Sequence, residues 1–223
     1  MLLAGFAIAC GSITGDLNGV IAIDVSLPDS GHVELGDTLR PSARAVNGRN
    51  DSVGAQVYWE HLDSIITILD SGTGALIGNV VGTGQIEARV GNLRSNPQAI
   101  TVLPRADTAF ADTTPVDSVS VGAKPDSLSD SLGVRIQTFT DSTPAGIAGR
   151  LVTFTLLYPP DTTSFTLVPN DSVTTDFSGL AVVQVRLKKR ALPDSAVVRA
   201  TALRTNGTTV HGAPITFVVR FYP

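Results

Sequence analysis

This sequence is short of the residues on which recognisable active-site chemistry is built. It holds one cysteine, one methionine, one tryptophan and three histidines in 223 residues. A single cysteine excludes any disulfide within the chain. His32, His61 and His211 fall in separate stretches, none at a ligand spacing with a cysteine or carboxylate, which argues against a zinc centre. Charge is sparse too: 16% of residues are charged and the net charge is −4. Such a surface does not neutralise a phosphate backbone, so no nucleic-acid partner is expected. Neither a Gly-x-Ser-x-Gly elbow nor a Ser-x-x-Lys run occurs, leaving serine-nucleophile catalysis without support. No catalytic residue, metal or cofactor is expected, and the chain reads as non-enzymatic. Long windows with helical apolar spacing are also missing.

What remains is a sequence for strands. Hydrophobic residues make up 43% of the chain, enough for packed cores, while aromatics are only 5%. The stretch from Val57 to Val90 shows the pattern most clearly: short β-branched runs separated by Gly, Asp, Ser and Thr, which suit a pleated surface and tight turns. Alternation puts Val57 and Trp59 on one face and Tyr58 and Glu60 on the other, so the indole is expected to fill a core between two sheets. Strands are expected at Val20 to Leu27, Thr38 to Val46, Val57 to Trp59, Ile65 to Leu69, Ala75 to Val81, Gln85 to Val90 and Ala99 to Leu103. In the first of these, Ile21, Ile23, Val25 and Leu27 form the inward set. Seven short strands at regular spacing point to a sandwich.

The N-terminus reads separately. Met1 to Ala9 is apolar or glycine throughout, shorter than the ~20 residues of a spanning helix but within the range of a signal-peptide apolar region. Small residues followed at once by Cys10 resemble a bacterial lipoprotein signal. That resemblance implies cleavage before Cys10, lipid attachment at Cys10 and an extracytoplasmic, membrane-anchored protein, in the periplasm or on the outer surface of a bacterium. Leucine is usual in that family where Ala7 stands, and no Lys or Arg precedes Arg40. The competing reading is a buried N-terminal strand carrying a free core thiol.

Val57-x-Trp59, Asp63, Ile66, Leu69-Asp70, Gly74, Gly78, Gly82-Thr83 and Ile86-x-Ala88 resemble the bacterial immunoglobulin-like domain of the group 2 type. Pro104 to Pro115 is polar around Ala-Phe-Ala and bounded by prolines, the expected linker. Beyond it, Thr140-Asp141 through Pro144, Gly149-x-x-Val152-x-Phe154, Thr175-Asp176-x-x-Gly179-x-Ala181-x-Val183-x-Val185 and Val198-x-Ala200-x-Ala202 resemble the repeats of invasin and intimin. The expected fold is therefore all-β, two tandem immunoglobulin-like β-sandwiches. Residues 1–18 form an export segment and spacer, 19–103 the first domain, 104–115 the linker and 116–223 the second domain. The expected core residues are Val57, Trp59, Phe154 and Val183.

These families are structural and adhesive modules, so the resemblance implies protein-protein contact rather than chemistry. Tandem sandwiches of this style also occur as added subunits on bacterial bioenergetic complexes, photosynthetic ones included, and a two-domain chain is short for an adhesin. Two readings follow: a scaffolding subunit on the exoplasmic face of a larger membrane complex, or a free surface lipoprotein acting in adhesion or envelope binding. The membrane attachment is the N-terminal segment or a lipidated Cys10. Glu60 and His61 depart from the small residues usual after the tryptophan and, with the basic run Arg186, Lys188, Lys189 and Arg190, form the candidate contact patch. The competing assignments are a solvated turn histidine and a charged strand end that keeps an edge soluble. The recurrent Asp-Ser pairs fit Asx turns better than a calcium loop.

Overall fold

The computed structural model describes residues 17–121, 127–140, 143–159, 164–188 and 194–223. Met1 to Cys10, on which the export reading rests, lie outside the described residues, as do Lys189 and Arg190. The first part of the chain runs through β1 (Val20–Ser26), a 3-10 turn (Pro28–Gly31), β2 (His32–Glu34), β3 (Thr38–Leu39), β4 (Ser42–Asn47), β5 (Ser52–Val53) and β6 (Tyr58–His61). It continues through β7 (Ile66–Asp70), β8 (Ala75–Gly78), β9 (Gly82–Val90), β10 (Leu93–Arg94) and β11 (Gln98–Leu103). One layer has the order β10-β9-β11-β2 with β6 on the other edge of β9. Facing it are β1-β4-β5 and β3-β8-β7, joined by the run from β3 to β4. Pro41 interrupts that run, because proline has no N–H for a ladder.

The second part comprises β12 (Thr108–Ala111), β13 (Val116–Ser120), β14 (Leu132–Thr140), β15 (Thr143–Gly146) and β16 (Leu151–Tyr158). Then come β17 (Phe165–Val168), β18 (Ser172–Thr174), β19 (Leu180–Leu187), β20 (Asp194–Ala202) and β21 (Ile215–Tyr222). Its layers are β12-β14-β19-β17, with β15 on β14, and β13-β21-β20-β16-β18. The protein is thus all-β, with two sandwiches built alike. In each the opening strand is split: β1 and β12 join one layer antiparallel, while β2 and β13 cross to the other and pair parallel with the last strand, β11 or β21.

Each sandwich has its own core. Trp59, Ile66, Leu76, Ile86, Ile100 and Val102 fill the first, with Val57 half-buried against them. Gly74 explains one motif position: its φ is +76°, and a Cβ there would stand 2.6 Å from the Trp59 Nε1. In the second, Phe154, Phe165, Phe217 and Phe221 are fully buried with Val183 among them, the Phe165 and Phe221 rings tilted at 5.4 Å. Each such side chain contributes about 1.5–3 kcal/mol by leaving water.

Two expectations need correction. Ile21 does not point inward but is largely exposed, because a bulge between Val20 and Ala22 shifts the register and turns the side chain out. The run 104–115 is not a free connector. Within it β12 pairs with β14, and Ala106 and Ala109 belong to the second core. Phe110 lies exposed opposite Arg135.

Phe154→Ala should lower the unfolding free energy by about 3–5 kcal/mol, whereas Phe177→Ala, at a side chain 96% exposed, should change it by less than about 0.5 kcal/mol. Denaturant unfolding of the two variants checks this.

Candidate functional site

The densest polar constellation joins the two sandwiches. β2 ends at Glu34, where parallel pairing with β11 carries both strands toward the second sandwich. The Glu34 side chain is 0% exposed. A carboxylate taken out of water needs partners on its oxygens, and every one it finds comes from beyond β11. Arg150 Nη1 stands 3.1 Å from Oε1, and the Thr205 N–H donates to the same oxygen at 3.4 Å. The Ala106 N–H donates to Oε2 at 3.1 Å, with Arg204 Nε at 3.9 Å.

The two arginines are held as firmly as the carboxylate. The Arg150 N–H donates to Thr175 Oγ1 at 2.9 Å, and the Thr175 N–H donates back to the Arg150 carbonyl at 2.8 Å. Its guanidinium also donates to the Pro104 carbonyl. Arg204 Nε donates to the Ala106 carbonyl at 3.1 Å. On the rim, Asn206 Nδ2 donates to Asp37 at 2.9 Å. Burial pushes the Arg150 guanidinium below the usual arginine range; Glu34 opposes that shift and Arg204 adds to it. Glu34 is thus what allows two cations to sit side by side.

The loop that holds Arg150 is the Thr175-Asp176-x-x-Gly179 run. Asp176 Oδ1 accepts from the Ser178 N–H at 2.8 Å, the Ser178 hydroxyl at 2.7 Å and the Leu180 N–H at 3.0 Å. Gly179, at φ +80°, lies so close to β14 that a Cβ would meet the Ile136 carbonyl at 2.3 Å. Phe177 projects from the tip of this turn. Asp63 and Asp70 work in the same way, accepting the N–H groups of Ile65 and Gln85, and of Gly72, respectively. The Asp-Ser pairs at these positions are turn-builders.

The candidate contact patch is not one surface. Glu60 and His61 lie on β6 of the first sandwich, Arg186 and Lys188 at the end of β19 in the second. Glu60 is engaged in a network with Arg89 and Arg94, which also reaches Glu87, and the Arg89 guanidinium lies 5.3 Å from the centre of the Tyr58 ring. His61 Nδ1 is 2.6 Å from the Asp63 carbonyl oxygen. Lys188 borders a cleft of ≈ 580 Å³ between β16 and β17, with Thr153, Thr166, Asn170 and Asp171. That cleft gathers hydroxyls and apolar groups around one lysine and one aspartate. Among the described residues no group of three or more His, Cys, Asp or Glu is arranged to hold a metal, and no helix is long and apolar enough to cross a membrane.

Sequence reasoning missed Glu34, Arg150 and Arg204. The only local signal was the Thr175 motif, which marks the loop holding Arg150 without naming what it holds.

No protein-family profile and no curated protein matches this chain. Among solved structures it is similar to the Yersinia pseudotuberculosis adhesin InvE, at 16% identity and a TM-score of 0.38, over 88% of this chain and 58% of that one. It therefore spans less than two thirds of the InvE chain. It is also similar to the D00-D0 domain of intimin, at 18% identity and a TM-score of 0.35, over 90% of this chain and 100% of that one. Domains 4 and 5 of the S-layer protein SbsC give 15% identity and a TM-score of 0.32, over 92% and 99%. The two sandwiches rest on their own strand pairing and cores.

Two predictions follow from the geometry. Glu34→Ala takes the counter-charge from the buried Arg150 and leaves Arg204 only Asp107, at 3.8 Å, and should cost about 3–5 kcal/mol; calorimetry should show one unfolding transition in the wild type resolving into two. The second concerns acid. The Arg135 guanidinium holds the Asp112 carboxyl below its ordinary 3.8, the Ser178 hydroxyl and Leu180 N–H do so for Asp176, and the Gly72 N–H does so for Asp70. Partial desolvation works against ionisation of Glu60, yet Arg89 and Arg94 together outweigh it and hold it below 4.5. Carboxyls more acidic folded than unfolded give stability that is full above the ordinary values and is lost as pH falls below them. Denaturant midpoints should be level from neutral pH down to about 5 and decline below about 4, with a shallower decline in Asp112→Asn.

Proposed function

We propose that this chain is a non-enzymatic scaffolding subunit that makes protein-protein contacts through its two sandwiches on the exoplasmic face of a bacterial membrane complex. The observation that carries the reading is the locked junction. Glu34, Arg150 and Arg204 make one stiff body of two modules, and stiffness is what a spacer or scaffold needs and a flexible tether does not. Reach favours the same choice: two sandwiches held together at a fixed junction are suited to bridging neighbours in an assembly. In this reading Met1 to Ala9 or a lipidated Cys10 holds the chain at the membrane, and a bioenergetic assembly, photosynthetic included, is the class of complex it joins. In this reading the first domain is 19–103, and the second is 116–223 together with Ala106, Ala109 and β12, which share its core and layers.

The alternative is a free lipoprotein acting in adhesion or envelope binding. Exposed apolar residues on β12, β13 and β14 give both readings a surface to work with. Native electrophoresis of gently solubilised membranes separates them. A scaffold subunit should migrate in a large particle of fixed stoichiometry, together with the proteins that name the complex. A chain that migrates alone, with a lipid mass on Cys10, would replace this reading by the adhesive one.

A further inference from the structure

The outer face of the layer β13-β21-β20-β16-β18 has a feature that the junction and the cores do not use. Tyr158 pairs with Val197, Val197 with Val218, and Val218 with Val116, so four apolar side chains line up across four strands on the side away from the core. The ends of this row are open, Tyr158 being 51% and Val116 53% exposed. Two rungs along the strands on either side stand Arg199 and Arg220, paired with Thr216 and Ser195. Both arginines are exposed, and neither has a hydrogen bond or ion pair among the described residues. Strand geometry sets them about 14 Å apart, four residues along and one strand across. Asp117 at the edge is already committed to the N–H groups of Ser118 and Asp130.

Four other described arginines on sheet faces are neutralised, Arg44 by Asp24, Arg89 and Arg94 by Glu60 and Arg135 by Asp112, while Arg186 at the end of β19 stands alone among the described residues. In a chain of net charge −4, one face therefore keeps two uncompensated cations around an apolar stripe. We infer that this face docks an acidic protein partner, one that presents carboxylates on either side of an apolar centre. A second copy of this chain does not fit, since stacking the face on itself sets the arginines of one copy against those of the other. The aromatic end of the row and the flanking arginines are the residue types that carry interface energy. The inference rests on the scaffold reading and adds the surface and the chemistry of the neighbour.

The test places a photo-crosslinking residue at Val218, and in a second variant at Val116, of the full chain in its own membranes. Each is made with and without R199E plus R220E, and melting temperature confirms that every variant is folded. The expected result is a crosslink from both positions to a protein segment rich in Asp and Glu, with a yield that the double charge reversal lowers about tenfold or more. Crosslinks to lipid, to another copy of this chain or to nothing overturn the inference, and so does a yield that the reversal leaves unchanged. Particle size of the wild-type chain is read in parallel. A chain that migrates alone removes the scaffold reading, whereas loss of the crosslink in a chain that still co-migrates removes only this surface.

Discussion

A carboxylate buried without compensation is the constraint on which the arrangement of this molecule depends. Glu34 has no exposed surface, and the groups that satisfy it come from residues as far as 171 positions along the chain. Swinging one sandwich away from the other would strand the buried charge without its partners, or expose it together with two arginines that lean on it. The cost of either exceeds what thermal motion supplies. Two domains that a loose connector would leave independent are thereby held to each other. The connector adds to this: it enters the second sandwich as β12 and contributes Ala106 to both the clasp and the core.

Much of the fold was legible because strands write their faces into the sequence with a period of two. β19 alternates cleanly, burying Ala181, Val183, Val185 and Leu187. The Trp59 and Gly74 positions were also readable, and their contact explains why they occur together. Local rules failed where pairing is long-range or register breaks. Ile21 obeys the alternation, yet a bulge turns it outward. Residues 104–115 look polar because half of a thin edge strand faces solvent. His32–Glu34 is three residues long and carries a charge, so nothing local marks it as a strand, and its meaning lies in arginines 116 and 170 positions further on.

The candidate patch was harder to foresee for a related reason. Arg199 and Arg220 are ordinary outward residues in their own strands; only cross-strand register sets them around the row from Tyr158 to Val116. The basic run at Arg186 drew attention because it is contiguous in sequence. Contiguity is a poor guide on a sheet, where neighbours on one face come from different strands. Among the described residues, the faces of the two sandwiches differ in the shape and charge that they offer.

The stiffness itself is directly measurable. With Cys10 replaced by serine, spin labels at Asn92 in the first sandwich and Thr155 in the second report the distance between the two by pulsed electron resonance. The account predicts a single distribution, no wider than that of two labels placed within one sandwich. A broad or two-peaked distribution in the wild-type chain would show that Glu34 does not lock the junction, and the description of this protein as a rigid two-domain body would be wrong.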